Sequence, residues 1–483
     1  MLALISDIHL SDGTAAEGNV APEVFALALH EIYEVAAEVA RARDLPTHVD
    51  LVLLGDIIDL LRTERWIEDA HGAPVPLSER PWGSARAASD GTLSPAVARR
   101  ARDILAEILT VNAESLATIR GERFPPPPGV TVRRIYIPGN HDRLFLLDEA
   151  LRAGVLGGLG AVSGEALAGE GIHAHRLEMP EYGTIARHGH EWDVWNNPSF
   201  GPGVHVSEYT DADYLPTPVG DAVTVELAVA LPYEIRRRLL DTRAFSEAQA
   251  ARIHRKLQRI EDVRPLFASF HWAFHAVSCL SAELDPVQGR ILRAALEDTV
   301  RALASRFQDL EFTSAWLDRH HRIFAIDATC LLRLVLCALS APPPFPARWV
   351  ARQVENVLVS RRPRTVTRKG AIREDLTRVG DKEMRFVVYG HTHHPEHVPL
   401  RGGPAIQDVY LNTGTYRPGV FRADDGEGFV GWQRIAYACI SSAEEAVGET
   451  SAFGGKSAGP AFVAWSGALS AGSASRAGFS RIR

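Results

Sequence analysis

Five short polar clusters carry the residue types that divalent-cation chemistry requires. They are Asp7-Ile8-His9, Gly55-Asp56-Ile57-Ile58-Asp59, Gly139-Asn140-His141-Asp142, His188-Gly189-His190-Glu191 and Gly390-His391-Thr392-His393. Aspartate, asparagine and histidine without cysteine make a hard-to-borderline donor set, suited to Mn, Fe or Zn rather than to a thiolate-bound metal. In extended backbone, residues two apart point the same way. Asp7 and His9 are therefore expected to reach one ion together, and so are His391 and His393. Gly55, Gly139, Gly189 and Gly390 permit sharp turns or close backbone approach beside these ligands. If Asp7 and Asp56 are the only anionic ligands of two dications bridged by one hydroxide, the site stays positive and attracts an anionic phosphate.

Taken singly, an Asp-x-His is usually surface chemistry with no metal. What sets these clusters apart is their context. Leu2 to Ser6, Val49 to Leu54, Val130 to Ile137 and Arg385 to Tyr389 are apolar runs with strand character, and each ends at one of the clusters. The carboxyl ends of strands are where open α/β sheets place their ligands. The fifth cluster follows Gly183 to Arg187, a weaker strand signal. Other histidines lack such a setting. His271 and His275 have the i, i+4 spacing of a helical metal pair, but Phe270, Trp272 and Phe274 around them read as a half-buried helix. His173, His175, His320 and His321 read as ordinary side chains. His394 and His397 adjoin the last cluster, as pocket lining or loop decoration. Trp192, Asp193, Trp195 and Asn196 follow the fourth, as substrate contacts or a packed loop.

The rest of the chain must position these clusters. Pro22 to Arg43 has helical periodicity through Val24, Leu27, Ile32, Val35 and Val39. Ser94-Pro95 reads as an N-cap and first-turn proline, opening a helix that carries Ile104, Leu105, Ile108, Val111 and Leu116. Pro125 to Pro128 is a stiff connector. From about Gly201 to Lys382 the pattern is almost entirely helical, as in Ser246 to Ile260 and Asp285 to Phe307. Val409 to Asn412 and Val430 to Ile440 return to strand. Beyond Ser441 the Gly, Ala and Ser content predicts a mobile or loosely docked tail.

The 483 residues are 46% hydrophobic, enough for a substantial core and more than one folding unit. A net charge of −8 excludes the global basic field of a general nucleic-acid binder. Arg361, Arg362, Arg364, Arg368, Lys369 and Arg373 form a local basic run that is either a solvated face or a grip on extra phosphates. Cys279, Cys330, Cys337 and Cys439 lack paired metal spacing and read as buried thiols in a reducing, cytoplasmic setting. No basic segment precedes the first strand, so no signal peptide is expected. Ala328 to Ala341 is too short to span a membrane.

The ordered set of five clusters resembles the calcineurin-like metallophosphoesterase superfamily. The resemblance implies an α/β fold of two packed mixed β-sheets flanked by helices, a four-layer sandwich. Its core would comprise residues 1–60, 130–200 and 384–440. Residues 61–129 would be a loop-plus-helix insertion, 201–383 a mainly helical cap or accessory insertion, and 441–483 a C-terminal extension. The implied site has Asp7, His9, Asp56 and His393 on one metal. Asp56 bridges to a second, completed by Asn140, His188 and His391. His141 would protonate the leaving oxygen or stabilise the transition state. Asp59 and Asp142 would orient imidazoles, and His190 would lie at the pocket rim or behind a ligand.

The implied activity is hydrolysis of a phosphate ester or anhydride by in-line hydroxide attack. The expected substrate is a small phosphodiester, pyrophosphate or phosphomonoester, with no obligate nucleic acid. A nuclease of the same superfamily and a non-catalytic binding scaffold are the alternatives. Asp59-Leu60-Leu61 stands where protein Ser/Thr phosphatases carry Asp-Arg-Gly, and Asp142 where they carry Glu, which argues against that branch. Cyclic-nucleotide phosphodiesterases and lipid pyrophosphatases acting on nucleotide-linked diacylglucosamine are closer parallels, although the latter usually have Arg at the position of His141.

Overall fold

A computed structural model describes residues 1–15, 18–82, 93–163, 175–200, 205–206, 209–264, 268–320, 364–374, 384–402, 407–423, 428–446 and 460–470. The apolar stretch 328–341, Cys330, Cys337, His173, His321, Arg361 and Arg362 lie outside these residues.

The chain is mixed α/β, with two mixed sheets. The first contains β1 (Leu2–Ile5), β2 (Thr47–Leu54), β3 (Val130–Ile137) and β4 (Val162–Ser163). The second contains β5 (Leu177–Met179) and β6 (Thr184–Ala186). The first regains β7 (Val263–Arg264). The second then adds β8 (Phe386–Tyr389), β9 (Glu396–Gly402) and β10 (Gln407–Asn412). The first closes with β11 (Pro418–Arg422), β12 (Phe429–Ser441) and β13 (Ala461–Ser470). The spatial order is β4-β3-β2-β1-β12-β11-β7, with β13 on β12, and β5-β6-β8-β10-β9. Pairing is parallel from β1 to β4 and from β6 through β8 to β10. It is antiparallel where β12 meets β1, β11 and β13, and at the outer pairs β5–β6 and β9–β10.

Alternation decides the layering. Leu2, Leu4, Val52, Leu54, Ile135 and Ile137 point toward the second sheet, where they meet Met179, Ala186, Phe386, Val388 and Leu411. Ala3, Ile5, Leu51 and Leu53 point the other way, onto helices that include Pro22–Arg43 through Phe25, Ala28 and Ile32. Being buried on both faces is why these strands read as continuous apolar runs. Each fully buried leucine or isoleucine contributes about 1.5–3 kcal/mol, so the strand ends that carry the polar clusters are firmly fixed. The outer face of the second sheet packs Ile185, Val387, Tyr389 and Tyr410 against Trp192, Ala371 and Met384.

Several elements depart from the sequence expectation. The helix opened by Ser94, whose side chain accepts from the Val97 amide, ends at Val111. A second helix, Ala113–Ile119, follows Asn112 and carries Leu116, and Val111 itself is exposed. The predominantly helical region includes Ala230–Asp241, Glu247–Leu257, Ser269–Ala282 and Pro286–Asp309. Within it, β7 joins the first sheet beside β11. The tail expected to be mobile or loosely docked supplies β13, paired with β12 from Ser441↔Ala461 to Trp432↔Ser470. Among the described residues, no helix is long and apolar enough to cross a membrane.

Candidate metal centre

Asp7 and His9 follow β1, Asp56 follows β2, Asn140 follows β3, His188 follows β6, and His391 and His393 follow β8. The strand-end placement is as the hydropathy pattern predicts, but the local backbone is not. Asp7, His9, Asp56, His391 and His393 all have positive φ, between 51° and 67°. Non-glycine residues rarely adopt this left-handed conformation, which costs on the order of 1 kcal/mol or more each. Extended alternation therefore does not aim these side chains. The turn is held by contacts between segments: Asp7 N–H donates to the Gly55 carbonyl (3.1 Å) and His9 N–H to the Asp56 carbonyl (2.8 Å). Thr415 Oγ1 donates to the Asp7 carbonyl (2.6 Å). Two glycines allow the approach of the strands. A Cβ on Gly139 would collide with the Asp56 carboxylate, and one on Gly390 with the Asp7 carboxylate.

Three groupings bring possible ligand atoms within 4.8 Å of one another: Asp7-His9-His393, Asp7-Asp56-His188 and His9-Asp56-His141. Asp7 Oδ1 is buried with no hydrogen-bond partner among the described residues. It lies 3.3 Å from His393 Nε2, 3.8 Å from His9 Nε2 and 3.9 Å from His188 Nε2. Asp56 Oδ2 lies 3.3 Å from His188 Nε2 and 3.7 Å from His9 Nε2. Both carboxylates thus stand between groupings, where the sequence reading assigned that position to Asp56 alone.

The outward hydrogen bonds fix what faces inward. His188 Nδ1 donates to the Leu54 carbonyl (2.8 Å), which can only accept. His9 Nδ1 donates to Asp59 Oδ2 (2.8 Å), and His391 Nε2 to Asp193 Oδ2 (3.1 Å). Each ring, when neutral, therefore turns its lone pair inward, the arrangement usual for metal-binding histidines. The Asn140 Oδ1 acceptor faces His188 Nε2 (3.2 Å) and His391 Nδ1 (3.1 Å). Lone pairs of nitrogen and oxygen at these distances repel unless a cation sits among them. The donor set thus fits a metal ion. Without one, a proton takes that part: burial opposes charge on His188, but Asp56 and Asp7 raise it to about 10. His391 and His393 do not share a grouping, contrary to the expectation of a common ion. His391 reaches Asn140 and Asp193, while His393 reaches Asp7 and His9.

Asp59 is fully buried and joins two imidazoles. Besides His9 it accepts from His141 Nδ1 (3.0 Å) and from the Leu61 and Arg62 amides. Burial opposes charge on His141, but Asp59 and Asp56 outweigh it and raise the ring to about 9. Asp142, expected to orient an imidazole, instead accepts from the Asp56 and Gly139 amides (both 2.7 Å). It holds the turns rather than a ligand. Burial and Asp56 raise its carboxyl to about 7. His190 is buried, and its Nδ1 has no hydrogen-bond partner among the described residues but lies 3.6 Å from Glu191 Oε2. Burial, His188 and His391 hold it well below its ordinary value. It lines a cleft beside Asn140 together with Arg143, Asn196 and Tyr214. His271 and His275 pack edge-on and tilted against Phe429, away from these groupings.

A buried charge cluster backs the centre and had no sequence signal beyond the proximity of Arg62 to Asp59. Arg62 pairs with Asp59 (3.0 Å), Glu261 (3.7 Å) and Asp262 (3.5 Å). Asp262 pairs with Arg417 (2.9 Å), whose Nη1 donates to the His9 carbonyl (3.3 Å). Burial, opposed by Arg62, raises Glu261 to about 7. Arg264 Nη2 stands 2.8 Å from His393 Nδ1. Burial and Arg62 lower Arg264 to about 10, which leaves it a cation at neutral pH. Glu261, Asp262 and Arg264 lie in a stretch without any motif, so only the pairing of β7 with β11 brings them here. Compared with known proteins, the chain matches no family model, no curated protein and no solved structure.

Proposed function

We propose that this chain is a metallophosphoesterase of the calcineurin-like type, a four-layer sandwich binding two divalent ions and hydrolysing a phosphate ester or anhydride. The observation that carries this reading is the convergence of His9 and His188 Nε2 on the buried carboxylates of Asp7 and Asp56, with the outward nitrogen of each ring held by an acceptor. Asp7, His9, Asp56 and His393 would hold one ion. Asp56, Asn140, His188 and His391 would hold the other, with Asp7 close to both. Mn, Fe or Zn suits these donors. Such a pair supplies Lewis acidity, which activates water near neutral pH and neutralises phosphoryl oxygens.

The chain's own residues would do the rest. His141, steadied at Nδ1 by Asp59, would present its other ring nitrogen, when protonated, to the leaving oxygen. Asp59 fixes the His9 and His141 rings together, so ligand and acid keep a constant relation. His190, held neutral, and Asn196 line the cleft where a leaving group would lie. The substrate is expected to be small and phosphorylated. The test is metal analysis of protein loaded with Mn²⁺, combined with hydrolysis of bis(p-nitrophenyl) phosphate and p-nitrophenyl phosphate. The expected result is two equivalents per chain and turnover that chelation abolishes. Saturation at one equivalent would refute the dinuclear site, and metal binding without turnover of any ester in a metabolite screen would refute the enzyme.

A further inference from the structure

An asparagine binds a cation through its oxygen, but the oxygen and nitrogen ends of its amide have nearly the same shape, so its neighbours must decide which end faces the ion. For Asn140 those neighbours come from the loop after His188. An ionised carboxylate only accepts hydrogen bonds. Asp193 accepts the Asn196 side-chain N–H at Oδ2 (2.8 Å) and the Trp195 amide at Oδ1 (3.0 Å). With its nitrogen committed there, Asn196 turns its oxygen toward Asn140. Asn140 Nδ2 donates to that oxygen (3.3 Å). Asn140 Oδ1 is left facing His188 Nε2 (3.2 Å) and His391 Nδ1 (3.1 Å), the side on which an ion would lie. The same Asp193 oxygen accepts from His391 Nε2 (3.1 Å). One carboxylate thus orients two candidate ligands, His391 directly and Asn140 through Asn196.

Asn196 is held from its other side by the helical insertion. Gly220, in the short helix Val219–Val223, donates its N–H to the Trp195 carbonyl (2.8 Å). A Cβ at Gly220 would collide with Asn196 Oδ1 and stand 3.0 Å from the Trp195 carbonyl oxygen. Glycine therefore lets the two segments meet with Asn196 in the position that reaches Asn140. Trp195 also packs on Trp316 of the helix Glu311–His320, with ring centroids 5.4 Å apart. Supporting groups of this kind, held by packing and by their own hydrogen bonds, are what keep a ligand in its productive orientation.

Resting on the dinuclear reading of the centre, we propose that Asn196, seated against Gly220 of the insertion, is a positioning residue for the second ion: it turns the Asn140 amide so that oxygen, not nitrogen, faces the cation. Turned round, the amide would present N–H groups where the cation binds, and the ion would first have to reverse it. The insertion thereby helps to build the second metal site without supplying a ligand to it.

The experiment is calorimetric titration of the metal-stripped full chain with Mn²⁺, in the wild-type background and in Asn140→Asp. His391→Ala identifies which step of the isotherm belongs to the second ion. Asn196→Leu should weaken that step by about 10–100-fold, the usual cost of losing an outer partner, and leave the first ion within about twofold of wild type. In the Asn140→Asp background the same substitution should cost less than about threefold, because both ends of a carboxylate are oxygens and there is no orientation left to set. Equal losses in the two backgrounds overturn the proposal, since Asn196 would then support the loop rather than orient the amide. An unchanged second step in Asn196→Leu overturns it, and so does equal weakening of both ions. If Asn196→Leu does not fold, Gly220→Ala decides, because its methyl must displace Asn196. A loss of the second ion confined to the wild-type background supports the proposal, and a loss in both backgrounds or in neither rejects it. Wild type that takes up fewer than two ions defeats the dinuclear reading, and the proposal with it, before any variant is compared.

Discussion

Replacing Asp59 by asparagine removes the charge that the structure puts between His9 and His141 while keeping a side chain of the same shape. The Leu61 and Arg62 amides that Asp59 accepts can still donate to the amide oxygen, so the turn should persist. His141 should change most. Its side chain is 12% exposed, and against the burial penalty Asp59 and Asp56 raise it to about 9. Without Asp59 it should fall to near 6.5 or below, a loss of roughly 3 kcal/mol in favour of the charged ring. The consequence for stability has a definite sign. A histidine raised by folding stabilises fully below about pH 6.5, and that contribution disappears as pH rises through about 9. Metal-free wild type should therefore lose stability between these values, and Asp59→Asn should lose roughly 3 kcal/mol less across the window. The assay is an NMR titration of the His141 ring in chelated protein, paired with urea unfolding at pH 6 and pH 9.5. If His141 in the variant still titrates near 9, Asp56 alone carries the shift and the role given to Asp59 is wrong.

Other outcomes follow from the same geometry. Asp56→Asn should weaken Mn²⁺ binding by more than about 100-fold, beyond what loss of an outer partner does, because Asp56 stands between His9 and His188. His271→Ala should leave metal content unchanged, and the reverse pattern in metal analysis would discredit the ligand set. Metal loading at pH 7 should expel the proton that His188 holds up to about pH 10, so affinity should rise with pH by about tenfold per unit below that value. Calorimetry in buffers of different ionisation enthalpy should count about one proton per chain, and a count of zero would contradict the assignment. His141→Ala should slow hydrolysis of a poor leaving group by about 10²–10⁴-fold and that of a nitrophenolate ester far less, with metal content intact. Equal losses on both would replace the acid role with electrostatic stabilisation.

The sequence alone determined the donor types, their order and their attachment to strand ends. It could do so because β1, β2, β3 and β8 are apolar runs, and an Asp or His immediately after such a run has few places to go. It also read the Ser94 cap and most of the helical stretches from local periodicity. Tertiary structure decided the rest. The positive φ of Asp7, His9, Asp56, His391 and His393 is imposed by contacts such as Asp7 N–H to Gly55 and Thr415 to Asp7, which join distant segments. Local alternation therefore misdirected His391 and His393. The inward lone pairs depend on Leu54, Asp59 and Asp193 as outer partners, and Asp142 holds two amides instead of an imidazole. Arg264 reaches the centre because two residues of a motif-free stretch add a strand to β11. Periodicity records which face a residue buries, but it does not record which remote backbone or charge that face will meet.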